Sequence, residues 1–83
     1  MYQIIKRDGT VDEFDITKIS AAITKAFIAQ NRNYHPEVID FLALKVTSSF
    51  EPKIKDGKVS IEDVQDSVES VLVHYFNQFI LEA

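Results

Sequence analysis

Eighty-three residues, 46% of them hydrophobic with two Gly and two Pro, point to one globular domain spanning 1–83, with a single core that buries roughly three-fifths of the unfolded surface. A net charge of −4 argues against a nucleic-acid partner, because phosphate backbones are held by clustered Lys and Arg, and the absence of cysteine excludes disulfides, thiolate nucleophiles and Cys-ligated metal. No signal-peptide core and no run of about 20 apolar residues interrupts the chain, so no membrane partner is expected and a soluble cytoplasmic location is the default.

The first elements read as a β-hairpin. Residues 2–5 are aromatic and β-branched, Asp8-Gly9 supplies the positive φ of a tight turn, and residues 11–14 alternate apolar with acidic. Asp15 then caps a helix whose apolar positions Ile16, Ile19, Ile23, Ala26 and Phe27 recur at three- and four-residue steps to about Gln30. The polar run Asn31-Arg32-Asn33 ends it. Pro36, preceded by His35, starts a second helix that reaches about Phe50. Its stripe of Val38, Ile39, Phe41, Leu42, Leu44 and Val46 covers more than half the circumference, which predicts a helix sandwiched between neighbours.

Residues 51–58, EPKIKDGK, read as a charged loop with a Pro and an Asp-Gly turn, the least ordered internal stretch, leading into a third short strand. Ser60 with Glu62 and Asp63 matches a capping box at the start of a long helix. Ile61, Val64, Val68, Val71, Leu72, Tyr75 and Phe79 form its seam, and Glu62, Asp66, Glu69 and Ser70 its solvated face. The fold class is therefore α+β: a small N-terminal hairpin, three-stranded with the later strand, packed on a helical bundle.

The hairpin gathers charge. Residues 1–32 carry five basic and four acidic side chains, whereas residues 33–83 carry four basic and nine acidic, so the cations favour the front of the chain. Lys6-Arg7-Asp8-Gly9 lacks the Gly-x-x-x-x-Gly-Lys-Ser/Thr spacing of a P-loop and, read alone, is a hairpin turn. The functional alternative is that Lys6, Arg7 and Lys18 converge on an anion, which requires the hairpin to fold over the helix start and set Lys18 beside Lys6. Asp12, Glu13 and Asp15 read as a metal site, an acid/base pair, or a polar strand edge followed by a helix cap. Strand alternation turns Asp12 and Glu13 to opposite faces, which disfavours a paired carboxylate. His35 and His74 lack partners at ligand spacing, and no serine stands in a Gly-x-Ser-x-Gly setting, so neither a metal nor a nucleophile is expected.

One long spaced pattern goes further. Lys6-Arg7-Asp8-Gly9, an acid ahead of Phe14-Asp15, Lys18-Ile19, and then Val59-Ser60-x-Glu62-Asp63-Val64-Gln65-Asp66-x-Val68-Glu69 resembles the ATP-cone, the nucleotide-binding regulatory domain at the start of ribonucleotide reductases. The second block leans toward the anaerobic, triphosphate-reducing class. The resemblance implies that Lys6, Arg7 and Lys18 meet phosphates and that Asp12 takes the position of the acid facing the adenine. Ile4, Phe14, Asp15 and Ile19 would line the base and ribose, and Ile61 and Gln65 fall near the pocket.

ATP and dATP would then compete as allosteric effectors, with Mg²⁺, ATP permitting activity and dATP suppressing it through a change of assembly. The family commonly has Glu at Asp12 and Pro at Glu13, and its last helix carries a phosphate-binding Lys with no counterpart in VHYFNQFILEA, so the expectation is truncation at the C-terminal helix or, alternatively, a variant that has lost part of the site. An uncovered tail of Tyr75, Phe76, Phe79 and Ile80 would favour self-association. Because ribonucleotide reduction requires cysteines, this chain would be a regulatory fragment partnered by the catalytic domain of its parent reductase, not the catalyst. Two alternatives stand: the ATP-cone of a reductase-gene repressor, disfavoured because no zinc ribbon precedes it, and an interaction module that binds no nucleotide.

Overall fold

The computed structural model describes the backbone of residues 2–82 and the side chains of residues 2–77. Its order is β1 (Gln3–Ile5), β2 (Val11–Glu13), α1 (Ile16–Ala29), α2 (Pro36–Phe50), a single 3-10 turn (Glu51–Lys53), β3 (Lys58–Ser60) and α3 (Ile61–Glu82). The strands form a three-stranded sheet in the order β2-β1-β3. β1 pairs antiparallel with β2, setting Ile4 opposite Asp12, and parallel with β3, setting Ile4 beside Val59.

The hairpin closes over the three-residue loop Arg7-Asp8-Gly9. The Lys6 N–H donates to the Thr10 carbonyl at 2.8 Å and the Gly9 N–H to the Lys6 carbonyl at 2.9 Å, while Gly9 takes φ +86, a left-handed value that suits a residue without Cβ. The Asp8 carboxylate fixes the bend by accepting from both the Thr10 N–H and its hydroxyl.

Asp15 caps α1 as expected, accepting from the Thr17 N–H at 3.0 Å and the Thr17 hydroxyl at 2.6 Å. Ile19, Ile23 and Phe27 bury one face. The helix stops in a Schellman motif: Asn31 turns left-handed (φ 55), its N–H reaches the Ile28 carbonyl, and the Arg32 N–H reaches back to the Phe27 carbonyl.

α2 packs against both α1 and α3, so it is sandwiched, but along a narrower face than its composition predicts. Ile39, Leu42, Ala43, Val46 and Phe50 are buried, whereas Phe41 and Leu44 remain 55% and 61% exposed. The reason is angular: residues 39, 42, 43, 46 and 50 share one side of a 3.6-residue helix, and 41 and 44 lie on the other. The Lys45 ammonium covers Phe41, 5.3 Å from its ring centroid.

Residues 51–58 are more ordered than the loop expected from sequence. The 3-10 turn leads to a two-residue hairpin in which Lys55 and Lys58 exchange two 2.9 Å backbone bonds around Asp56 (φ 53) and Gly57 (φ 73), both left-handed as a type I′ turn demands. The Gly57 carbonyl then accepts from the Gln3 N–H, which docks this turn on β1.

α3 starts at Ser60, whose Oγ accepts from the Asp63 N–H at 3.1 Å, and Glu62, Asp66, Glu69 and Ser70 face solvent as expected. Tyr75 and Phe76 are not an uncovered tail. Both are half-buried, with ring centroids 5.7 and 5.1 Å from Phe27, and the Arg32 guanidinium lies over Phe76. The side chains of Phe79 and Ile80 lie outside the described residues. Among the described residues no helix is long and apolar enough to cross a membrane.

Candidate functional site

The sheet and the starts of α1 and α3 enclose a cavity of about 220 Å³. Ile4 and Lys6 come from β1 and the residue after it, Asp12 and Glu13 from β2, Asp15, Lys18, Ile19 and Ala22 from the cap and first turns of α1, and Ile61, Val64, Gln65 and Val68 from α3. Each helix contributes at i, i+3, i+4 and i+7, one stripe of an α-helix pointed inward. Aliphatic side chains make the floor, and the charges gather at the mouth.

The mouth is built by the hairpin folding over the start of α1, the condition under which Lys18 comes beside Lys6. Lys6 Nζ lies 3.3 Å and Lys18 Nζ 3.5 Å from the same atom, Asp12 Oδ2. Arg7, at the loop, reaches α3 instead: its Nη2 donates to Gln65 Oε1 at 2.9 Å and its Nε stands 3.9 Å from Glu62 Oε1. A shallower depression beside the cavity is lined by Lys6, Arg7, Asp8, Ile61 and Gln65, so Lys6, Ile61 and Gln65 face both.

These neighbours set the protonation of the mouth. A hydrogen bond from Lys6, then the charges of Lys18 and Lys6, hold the Asp12 carboxyl below the usual carboxylate range. The Thr17 hydroxyl and backbone N–H do the same for Asp15, which is committed to capping α1. Both groups stay ionised at neutral pH.

The structure thus brings Ile4, Lys6, Asp12, Asp15, Lys18, Ile19, Ile61 and Gln65 to one cavity and sets Arg7 at its edge. Phe14 is placed elsewhere. Its N–H bonds to the Tyr2 carbonyl at the far end of the hairpin, and its ring packs 5.9 Å from Tyr2 and 5.7 Å from Phe50, between the sheet and α2. Ala22, Val64 and Val68 also line the cavity without having been named as site residues from sequence, Val64 and Val68 having been read only as part of the α3 seam and the spaced pattern. Their signal was present as helical spacing, since 22 follows 15, 18 and 19, and 64 and 68 accompany 61 and 65.

Chemically, the cavity joins an aliphatic lining to a mouth of mixed charge, with Lys6 and Lys18 set among Asp12, Glu13 and Asp15. At about 220 Å³ the cavity is smaller than the roughly 300–1,000 Å³ typical of sites for drug-sized ligands. Among the described residues no group of three or more His, Asp or Glu gathers as a metal site.

The family model described as ATP cone domain matches residues 2–81. The chain is 35% identical over 83 residues to a protein named ribonucleoside-diphosphate reductase subunit alpha from Chlamydia muridarum, covering 87% of this chain and 8% of that protein. It is 38% identical over 71 residues to one named vitamin B12-dependent ribonucleoside-diphosphate reductase from Thermoplasma acidophilum, covering 86% of this chain and 9% of that protein. It therefore spans under a tenth of the length of either relative.

Proposed function

The chain belongs to the ATP-cone family, and from that premise we infer that it is the nucleotide-binding allosteric regulatory domain of a ribonucleotide reductase. The observation that carries the reading is the joining of an aliphatic cavity to a mouth where Lys6 and Lys18 stand together, with Arg7 at its edge. The base and ribose of ATP or dATP would enter against Ile4, Ile19, Ile61, Val64 and Val68. The triphosphate, with its Mg²⁺, would lie across the three cations, where charge-assisted hydrogen bonds reward it.

No bond is made or broken in this scheme. The nucleotide acts through a difference in its affinity for two states of the parent enzyme, typically ~1–3 kcal/mol, and linkage makes the factor by which it shifts the balance between those states equal to the ratio of its affinities for them. The catalytic domain of the parent is the implied partner. Competition of dATP with ATP for the cavity would make the domain a sensor of the deoxynucleotide pool.

The narrower assignment, to the anaerobic triphosphate-reducing type, is supported by the Gln65-Asp66-Ser67-Val68-Glu69 run, while both relatives are named as diphosphate reductases. The parent gene tests it: a glycyl-radical barrel in the same reading frame supports this type, and a cobalamin-dependent or other diphosphate-reductase barrel refutes it.

Calorimetry tests the main reading. ATP or dATP with Mg²⁺ should bind, and Lys18→Ala or Lys6→Ala should weaken binding by ~1–3 kcal/mol, the loss expected for one charge-assisted contact. No heat at millimolar nucleotide, with circular dichroism showing an intact fold, would refute it.

A further inference from the structure

Lys6 and Lys18 come from different elements, yet their ammonium groups meet on one oxygen, Asp12 Oδ2, at 3.3 and 3.5 Å. Asp12 lies on β2 opposite Ile4 of β1 and lines the same cavity as both lysines. All three side chains keep a large share of their surface in solvent, so a dissolved anion can reach the cluster and exchange with it. Arg7 is handled alike, since Gln65 accepts from it and Glu62 stands beside it. The chain thus provides its own acceptors for the three cations that the mouth presents.

We propose that Asp12 is, without ligand, an internal counter-anion that occupies the position between Lys6 and Lys18 where a ligand's phosphate binds, so that polyphosphate binding proceeds by exchange of the carboxylate for phosphate oxygens and frees Asp12 to turn to the base, the role that the resemblance implies for it. This rests on the nucleotide reading above and deepens it. Measured affinity for a polyphosphate is then the surplus left after Asp12 is displaced. One carboxylate brings a single charge to the lysine pair, whereas the end of a triphosphate brings more, so polyphosphates displace it and acetate or chloride do not. The exchange also breaks the Lys18–Asp12 ion pair, a link between β2 and α1, and puts the ligand in its place.

The opposite role, in which Asp12 assists binding by holding the lysines in position, predicts the opposite sign on its removal. The 83-residue chain and its Asp12→Asn variant would each be titrated calorimetrically with inorganic tripolyphosphate and with ATP, circular dichroism confirming the fold. The variant should bind tripolyphosphate about two- to fivefold more tightly, the scale of an exposed ion pair that no longer has to be broken. In the wild-type chain, the Asp12 carboxyl followed by ¹³C NMR should titrate at higher pH once tripolyphosphate saturates the site, because the lysines no longer face it.

Unchanged or weaker tripolyphosphate binding by the variant overturns the proposal, as does a wild-type Asp12 midpoint that stays put at saturation, a result independent of how the variant folds. ATP binding that persists beside such a result leaves the nucleotide reading intact. Tripolyphosphate binding that tightens in the variant, without ATP binding to either protein, supports the counter-anion and refutes the nucleotide reading. Binding of neither ligand to either protein overturns both.

Discussion

Two phenylalanines nine residues apart on α2 give the sharpest test of the packing that supports the cavity. Phe50 has no exposed surface and meets Phe14 edge-on at 5.7 Å, joining the sheet to α2, whereas Phe41 is 55% exposed under a lysine. Truncating a buried Phe to Ala typically costs 3–5 kcal/mol, roughly, through lost transfer energy and the cavity left behind. At about 0.05–0.15 kcal/mol per residue, 83 residues carry only about 4–12 kcal/mol of total stability.

Phe50→Ala should therefore remove about a quarter or more of that stability and loosen the sheet that roofs the site. Phe41→Ala should stay within about 1 kcal/mol, since exposed positions without a special role change little. Urea unfolding followed by circular dichroism reads both from the midpoint at constant slope. A Phe50→Ala cost under about 2 kcal/mol, or equal costs at the two positions, would refute the assignment of faces on α2.

Other perturbations probe smaller features. Ser60→Ala removes the Oγ that accepts from the Asp63 N–H at the start of α3 and should cost about 1 kcal/mol, or roughly 4–8 °C in Tm; an unchanged melt would show that this cap contributes nothing. Gly9→Ala meets no atom within 4 Å, so its expected penalty of about 1 kcal/mol comes from φ +86 alone, and Gly9→Asn, which tolerates left-handed backbone better, should cost less. Asp8, Asp12 and Asp15 all have folded pKa values below their unfolded value of about 3.9. Their contribution is therefore present above that value and lost as pH falls through the folded pKa. Urea midpoints should be flat above about pH 5 and decline below about pH 4; a midpoint that rises on acidification would contradict these environments.

What sequence revealed and what it hid divide along physical lines. Asp15, Pro36 and Ser60 were readable as helix starts because a cap or a fixed φ acts within a few residues of itself. Asp8-Gly9 was readable as a turn for the same reason. α2 was harder, because apolar residues occupy most of its circumference and only contact with α1 and α3 decides that Ala43 is buried and Leu44 is not. The order within residues 51–58 was missed because a type I′ turn and a 3-10 turn use the same Pro, Asp and Gly as an irregular loop.

In the site, local sequence left the convergence of Lys6 and Lys18 as one of two readings and the resemblance favoured it, since eleven residues separate them and the ion pairs that join them pass through Asp12. Phe14 shows the limit of that route. Its place in the sequence pattern suggested the base, while its ring contacts carry the sheet on α2.

The strand order has a bearing on how the domain comes into being. β1 is the middle strand, and its parallel partner β3 enters the chain 55 residues later, with two whole helices between Gln3 and Lys58. The hairpin alone offers three-residue strands and little surface to bury, too little to persist by itself in water. Local helices form quickly, while a contact that closes so long a loop must wait for them. On a ribosome, residues 3–5 would leave the exit tunnel early and remain half-paired until β3 emerged, so the cavity, which draws on residues 4 to 68, is among the last parts to be completed. A ligand of this cavity would then bind only finished domains, and would hold shut the 55-residue loop closed by β1 and β3.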